Sequence, residues 1–181
     1  LACPQMCHSV TNYEGYQALH SSFNQGNLRE LAHTLERQFH RGTGVYRHCL
    51  LYNFLDNHDV SRIASIIKDK RKLFPLYTLL FTISGIPSIY YGSEWEEKGE
   101  RSQGDACVRP CLERQKDKDL TSHIRKLACL RRQNPVLVYG DFRLIDVESD
   151  ILVFSRRWQR QEARIAVNIS AKTKRLKRGM Q

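Results

Sequence analysis

The chain has 181 residues, 41% hydrophobic and 27% charged, the balance of a soluble globular protein with room for one domain or one domain and part of another. Its formal net charge of +10 is concentrated in two tracts, four cations in residues 68–72 and five in residues 172–178. Neither carries interleaved aromatics or a nucleic-acid motif, so both read first as solvated surface, with acidic partners other than nucleic acid left open. No apolar run reaches the roughly 18 to 20 residues of a membrane span, since residues 73–89 are interrupted by Thr, Ser, Gly and Pro, so no membrane partner is expected. The chain opens on Leu1 rather than Met and shows neither a basic start nor an apolar signal core; a start inside a longer protein is the expectation.

In chain order, "PQMCHSVTNY" (residues 4–13) reads as a short strand entering a polar loop. Asn27, with Glu30 three positions on, predicts a capped helix that turns Leu28, Leu31, Ala32, Leu35 and Phe39 inward and stops at "RGTG". "VYRHCLLYNFL" (residues 45–55) reads as a strand buried on both faces, of the kind found in parallel sheets. A helix is predicted from residue 60 with Ile63, Ile66 and Ile67 inward, and a second over "LFPLYTLLFTISG", with Pro75 in its first turn and Gly85 as its stop. "IPSIYYG" reads as another buried strand, residues 93–118 as a polar loop, and residues 120–133 as a helix burying Leu120, Ile124, Leu127 and Ala128. This alternation is that of a βα barrel or a doubly wound sheet. The texture then changes to three short strands, "DFRLIDV", "DILVFSRRW" and "ARIAVNI", an antiparallel unit with its boundary near Val138 and Tyr139.

Six cysteines stand at positions 3, 7, 49, 107, 111 and 129, without a zinc spacing. Cys49 and Cys129 fall in apolar or helical segments, where a buried thiol is expected. Reduced cysteines in a cytoplasmic protein are favoured over a disulfide framework.

Five stretches carry a resemblance. "FLDNHD" (residues 54–59) resembles the fourth signature region of the α-amylase superfamily, glycoside hydrolase family 13. "GIPSIYYGSEW" (residues 85–95) is similar to that family's last barrel strand, and "GDACVRP" (residues 104–110) to the loop after it. "LRRQNPVLVYGDFRLI" resembles the last barrel helix and the entry to the C-terminal β domain, and residues 9–39 the segment around the sixth strand of bacterial maltodextrin- and cyclomaltodextrin-degrading members. The fold so implied is α/β: residues 1–138 as about the last three βα units of a (β/α)8 barrel, and residues 139–181 as part of an antiparallel β domain.

The resemblance implies a retaining enzyme acting on α-1,4-linked glucan or maltooligosaccharide. Asp59 would be the third carboxylate, holding and distorting the sugar at the cleavage point, with His58 and Asn57 beside it on the same sugar. Barrel active sites lie at the C-terminal strand ends, where these residues fall, and hydrogen bonds to sugar hydroxyls strengthen in the oxocarbenium-like transition state. The packing alternative is that Asp59 caps the helix starting at residue 60. Asp105 and Arg109 would bind sugar at the non-reducing end, and Tyr91 or Trp95 would stack on glucose rings; Tyr13 and His8 are weaker candidates. Arg62, three positions after Asp59, is within pairing reach on a helix and is expected to support the site.

The blocks bearing the family's nucleophile and acid/base do not occur in this chain, which is expected to enter near the sixth strand, to be inactive alone, and to expose apolar strand edges. No metal or cofactor is expected, because the family's usual calcium ligands precede the segment matched here. The alternative is a non-catalytic member of the superfamily, a scaffold or transporter-associated subunit, against which the retention of His58 and Asp59 argues.

Overall fold

The computed structural model describes residues 7–176. Helix α1 (Tyr13–Gln25) starts on Asn12, whose side chain accepts the Gly15 N–H at 2.9 Å, and ends on Gly26 in the left-handed region. Its inward face is Ala18, Leu19, Ser22 and Phe23. The sequence reading misses this helix because Gln17, His20 and Ser21 dilute its apolar periodicity. Helix α2 (Arg29–Phe39) buries Leu31, Ala32, Leu35 and Phe39 as its spacing predicts. Its expected capping box does not form: Leu28 is the N-cap, Asn27 accepts the Arg29 N–H, and Glu30 takes the Ser21 hydroxyl.

The long strand expected over residues 45–55 shrinks to β1 (Tyr52–Asn53). Gly44 folds back on the end of α2 so closely that a Cβ there would lie 2.6 Å from the His40 carbonyl oxygen. Val45 and Tyr46 then donate to the Arg37 and Gln38 carbonyls, which keeps this stretch in turns. β1 pairs in parallel with β2 (Ile86–Pro87), which is all that forms of the second expected strand. Neither is buried on both faces, for Tyr52 and its partner Ile86 are 40% and 41% exposed. The expected strand over residues 4–13 lies partly outside the described residues; within them Thr11 bridges Tyr52 in parallel.

Between β1 and β2 the helix expected from residue 60 is one turn, α3 (Ile63–Ile66), because Arg62 is extended. Ile63 and Ile67 are buried and Ile66 half-buried. Helix α4 (Leu73–Thr82) carries Pro75 in its first turn, where a missing N–H is tolerated. Gly85 follows at φ 108°, pressed against β1: a Cβ would lie 2.5 Å from both the Asn53 amide and the Leu51 carbonyl. After β2 come α5 (Asp105–Val108), α6 (Asp119–Gln133) and α7 (Pro135–Tyr139). α6 buries Leu120, Ile124 and Leu127, but Ala128 and Cys129 are exposed and Cys49 is only half-buried, contrary to expectation. The described cysteines are free thiols.

Strands β3 (Asp141–Val147), β4 (Ile151–Trp158) and β5 (Gln161–Asn168) form an antiparallel sheet in that order, with an irregularity between Leu144 and Asp146. Phe142, Leu152, Phe154, Ile165 and Val167 join the hydrophobic core that contains the inner faces of α1, α2, α4 and α6.

Two buried arginines fasten this sheet and α6 to the end of α4. Arg131 donates to the Phe81, Ile83 and Gly85 carbonyls at 2.7, 3.3 and 2.5 Å. Arg156 donates to the Thr82 and Leu137 carbonyls at 2.7 and 3.1 Å and to Gly140 through both Nε and Nη2. Phe81 and Thr82 end α4 and Leu137 lies in the last turn of α7, so their carbonyls are among those a helix end leaves without partners, and a cation there also meets the negative end of the helix dipole. Burial pushes both guanidinium groups below their ordinary value, by desolvation first. Replacing Arg156 by Met strands buried acceptors and is expected to cost about 3 kcal/mol in urea unfolding. A loss below about 1 kcal/mol would mean that relief of the buried charge offsets the lost hydrogen bonds.

Candidate active site

Because β1 and β2 run parallel, the segments leaving them emerge at the same edge. After β1, Phe54, Leu55 and Asp56 are buried, Asn57 is half-buried, and His58 and Asp59 are exposed. The inward carboxylate is Asp56. Its Oδ2 accepts the Ile63 N–H at 2.9 Å, and both oxygens lie 2.8 Å from the Ser93 hydroxyl, which donates to them. Asp56 therefore takes the capping role that the packing alternative gives to Asp59. Burial pushes the Asp56 carboxyl above the ordinary carboxylate range, while the Ile63 and Ser93 donors and the Arg62 charge pull it back.

Asp59, with a side chain 48% exposed, is surrounded by donors from three segments. Its Oδ2 lies 3.3 Å from His58 Nε2 and accepts the Tyr13 hydroxyl at 3.4 Å; its Oδ1 accepts from Arg109 Nη2 at 3.5 Å. Asn57 fixes the turn by accepting the Asp59 N–H at 2.8 Å, and its amide donates to the Tyr13 hydroxyl at 3.3 Å. Tyr13 stands edge-on to Phe54, with ring centroids 5.1 Å apart.

Arg109 comes from the segment after β2. It donates through Nε to the His58 carbonyl at 3.0 Å, and its Nη1 lies 3.3 Å from Asp105, which also pairs with Arg101. The Tyr91 hydroxyl donates to the Pro110 carbonyl at 2.8 Å, next to Arg109, and its ring remains half open to solvent.

Asn57, His58, Asp59, Asp105, Arg109 and Tyr91 thus lie within one connected patch. Trp95 does not: it borders a cleft with Thr121 and Ile124 of α6. The His8 carbonyl accepts the Cys49 thiol at 3.7 Å, outside this patch. Arg62 is also not Asp59's partner, since it is fully buried with its guanidinium 4.1 Å from the Tyr90 ring centroid. Tyr13, a weak candidate in the sequence, belongs to the patch. The missing signal was the start of α1 at Asn12, which places Tyr13 at the rim.

The arrangement offers an acceptor carboxylate beside imidazole, phenol and guanidinium donors, a set suited to a polyhydroxylated ligand. No group of three or more metal-ligating side chains gathers among the described residues. No helix among them is long and apolar enough to cross a membrane.

A family model described as alpha amylase, catalytic domain, matches residues 6–122. The chain is 35% identical over 119 residues to a cyclomaltodextrin glucanotransferase of Geobacillus stearothermophilus, covering 65% of this chain and 16% of that one. It is 31% identical over 122 residues to the protein of the same name from Bacillus sp. (strain 38-2), covering 66% and 17%. The structure of alpha-amylase from Geobacillus thermoleovorans, complexed with acarbose, superposes with a TM-score of 0.80 at 28% identity, over 91% of this chain and 37% of that one. The chain therefore spans about a sixth of the length of these curated relatives.

The raised carboxyl of Asp56 gives a pH test. Its contribution to stability is fully present below its unfolded-state value and is lost as pH rises through the higher folded-state value. Asp56→Asn cannot ionise, so its stability deficit in urea unfolding is expected to be larger near ~pH 4 than at ~pH 7. A deficit that grows toward neutral pH would mean the Ile63 and Ser93 donors outweigh burial.

Proposed function

The chain belongs to the alpha-amylase family, and from that premise we propose that it supplies Asp59 as the transition-state carboxylate of a retaining enzyme that hydrolyses or transfers α-1,4-linked glucans or maltooligosaccharides. The observation that carries this reading is the Asp59 carboxylate itself: exposed, excused from helix capping, and ringed by His58, Tyr13 and Arg109. A carboxylate so placed accepts hydroxyls of the sugar at the cleavage point, and these hydrogen bonds strengthen as the ring flattens toward the oxocarbenium-like state. His58 and Asn57 bind the same sugar. Arg109 and Asp105 bind a sugar further along the chain, with the Tyr91 ring as an apolar face. The nucleophile and the acid/base are not assigned among the residues of this chain. The cyclomaltodextrin glucanotransferases among its relatives support a glucan substrate and admit transfer as well as hydrolysis.

The division of labour is a barrel portion over residues 1–138, which holds every proposed site residue, and a β unit over residues 139–181, whose strands β3, β4 and β5 share its hydrophobic core. A scaffold without chemistry gives no reason for a carboxylate that is 48% exposed to be held by Tyr13 and Arg109, each from a distant segment.

The test is Asp59→Asn in the complete protein that carries this chain, with maltotriose as substrate. Turnover is expected to fall by at least about 10²-fold with the thermal midpoint preserved. Activity within about threefold of the parent would remove Asp59 from the chemistry.

A further inference from the structure

Arg62 is fully buried, yet its guanidinium meets no carboxylate at ion-pair distance among the described residues. Nη1 donates to the Tyr91 carbonyl at 2.6 Å, the group lies 4.1 and 4.9 Å from the Tyr90 and Tyr91 ring centroids, and Nε and Nη2 are without a hydrogen-bond partner. A buried cation held by one carbonyl and two ring faces, with the Asp56 carboxyl within electrostatic reach but not paired to it, is only partly compensated for its lost hydration. Stability alone does not favour it over an apolar side chain of similar volume.

What Arg62 touches suggests its use. Tyr91, whose carbonyl it grips, sends its hydroxyl to the Pro110 carbonyl, directly after Arg109. The Arg62 main-chain N–H donates to the Gly99 carbonyl at 2.8 Å, and the Gly99 N–H donates to Ser65 Oγ at 2.9 Å. Gly99 is packed so closely on the Cys107 carbonyl that a Cβ would collide with it. The Arg101 N–H donates to Ser61 Oγ at 2.8 Å. The segment carrying Asp105 and Arg109 is therefore held at its start by the Arg62 main chain, Ser61 and Ser65, and at its end by Tyr91, whose carbonyl the Arg62 side chain grips. Arg62 in turn stands three residues from Asp59.

We propose that Arg62 is a positioning residue for glucan binding, which through Tyr91 and Gly99 sets the 99–110 segment so that Arg109 spans Asp105 and Asp59. The proposal rests on the reading that Asp59 and Arg109 face the sugar. Arg rather than Lys suits the task, because a planar group lies on the rings while its edge reaches the Tyr91 carbonyl.

A double-mutant cycle in the complete protein tests it, read as KM and kcat for maltotriose. Arg109→Ala and Arg62→Met are each expected to raise KM about tenfold, with a smaller change in kcat. Together they are expected to raise it little more than either alone, because Arg62 acts through Arg109. Arg62→Lys is expected to show the same non-additivity with a smaller rise in KM, and it replaces Arg62→Met in the cycle if that variant does not fold. A combined rise of about 100-fold would show independent effects and overturn the positioning role. An unchanged KM in the Arg62 variants overturns it as well. An unchanged KM in Arg109→Ala would instead overturn the sugar-facing reading beneath the proposal, and the proposal with it.

Discussion

The carboxylate of Asp56 turns into the protein, where it takes the Ile63 N–H and the Ser93 hydroxyl. Those contacts tie the exit of β1 to the start of α3 and to the segment beyond β2. A buried carboxylate needs donors of this kind, because desolvation otherwise drives it to its neutral form. Once Asp56 caps α3, Asp59 three residues later is relieved of that duty and stays exposed at the rim. Two aspartates of the same short stretch thus divide the work by direction, one holding the loop and the other presented by it.

Legibility in the sequence followed how local each cause was. The inward faces of α2 and α6, the existence of α4 and all three strands of the antiparallel sheet could be read, because burial in α2, α6 and the sheet repeats at the period of the element and α4 is apolar nearly throughout. The run from Asn57 to Asp59 was legible because adjacent residues carry its chemistry. The extent of β1 was not, because it depends on Gly44 folding back onto α2 and on Val45 and Tyr46 pairing there. The pairing of Asp59 was misjudged for a related reason. Helical spacing offered Arg62, but α3 starts only at Ile63, so Arg62 is extended and turns to Tyr90 and Tyr91. The cation that reaches Asp59 is Arg109, 50 residues away, at a separation no periodicity reports.

Net charge was a poor guide to where cations matter. Among the described residues, the cations of the two basic tracts make none of the contacts around Asp59. Arg62, Arg131 and Arg156 are buried and donate to main-chain carbonyls, Arg62 to that of Tyr91 and the other two to several each. A guanidinium offers five donors in a fixed plane, so one side chain satisfies carbonyls at a helix end, a loop and a strand entry together. Arg131 and Arg156 do this at the end of α4, where they join α6 and the antiparallel sheet to the segment entering β2.

The rim residues share a further feature. Asn12, immediately before Tyr13, is buried, exchanges hydrogen bonds with Gln38 and donates to the Asn53 side-chain oxygen, while the Asn53 amide donates to the Ser84 carbonyl at 2.7 Å. This trio sets α1, α2, β1 and the approach to β2 relative to one another, and so decides where the Tyr13 hydroxyl falls. Asp56 stands in the same relation to Asp59. Tyr13 and Asp59 each lie within three residues of a buried polar anchor whose geometry is fixed by matched donors and acceptors, a stricter constraint than apolar contact supplies. A rim assembled from separate segments keeps its distances only when every segment is pinned close to the residue it presents, and here the pins are the buried amides and the Asp56 carboxylate.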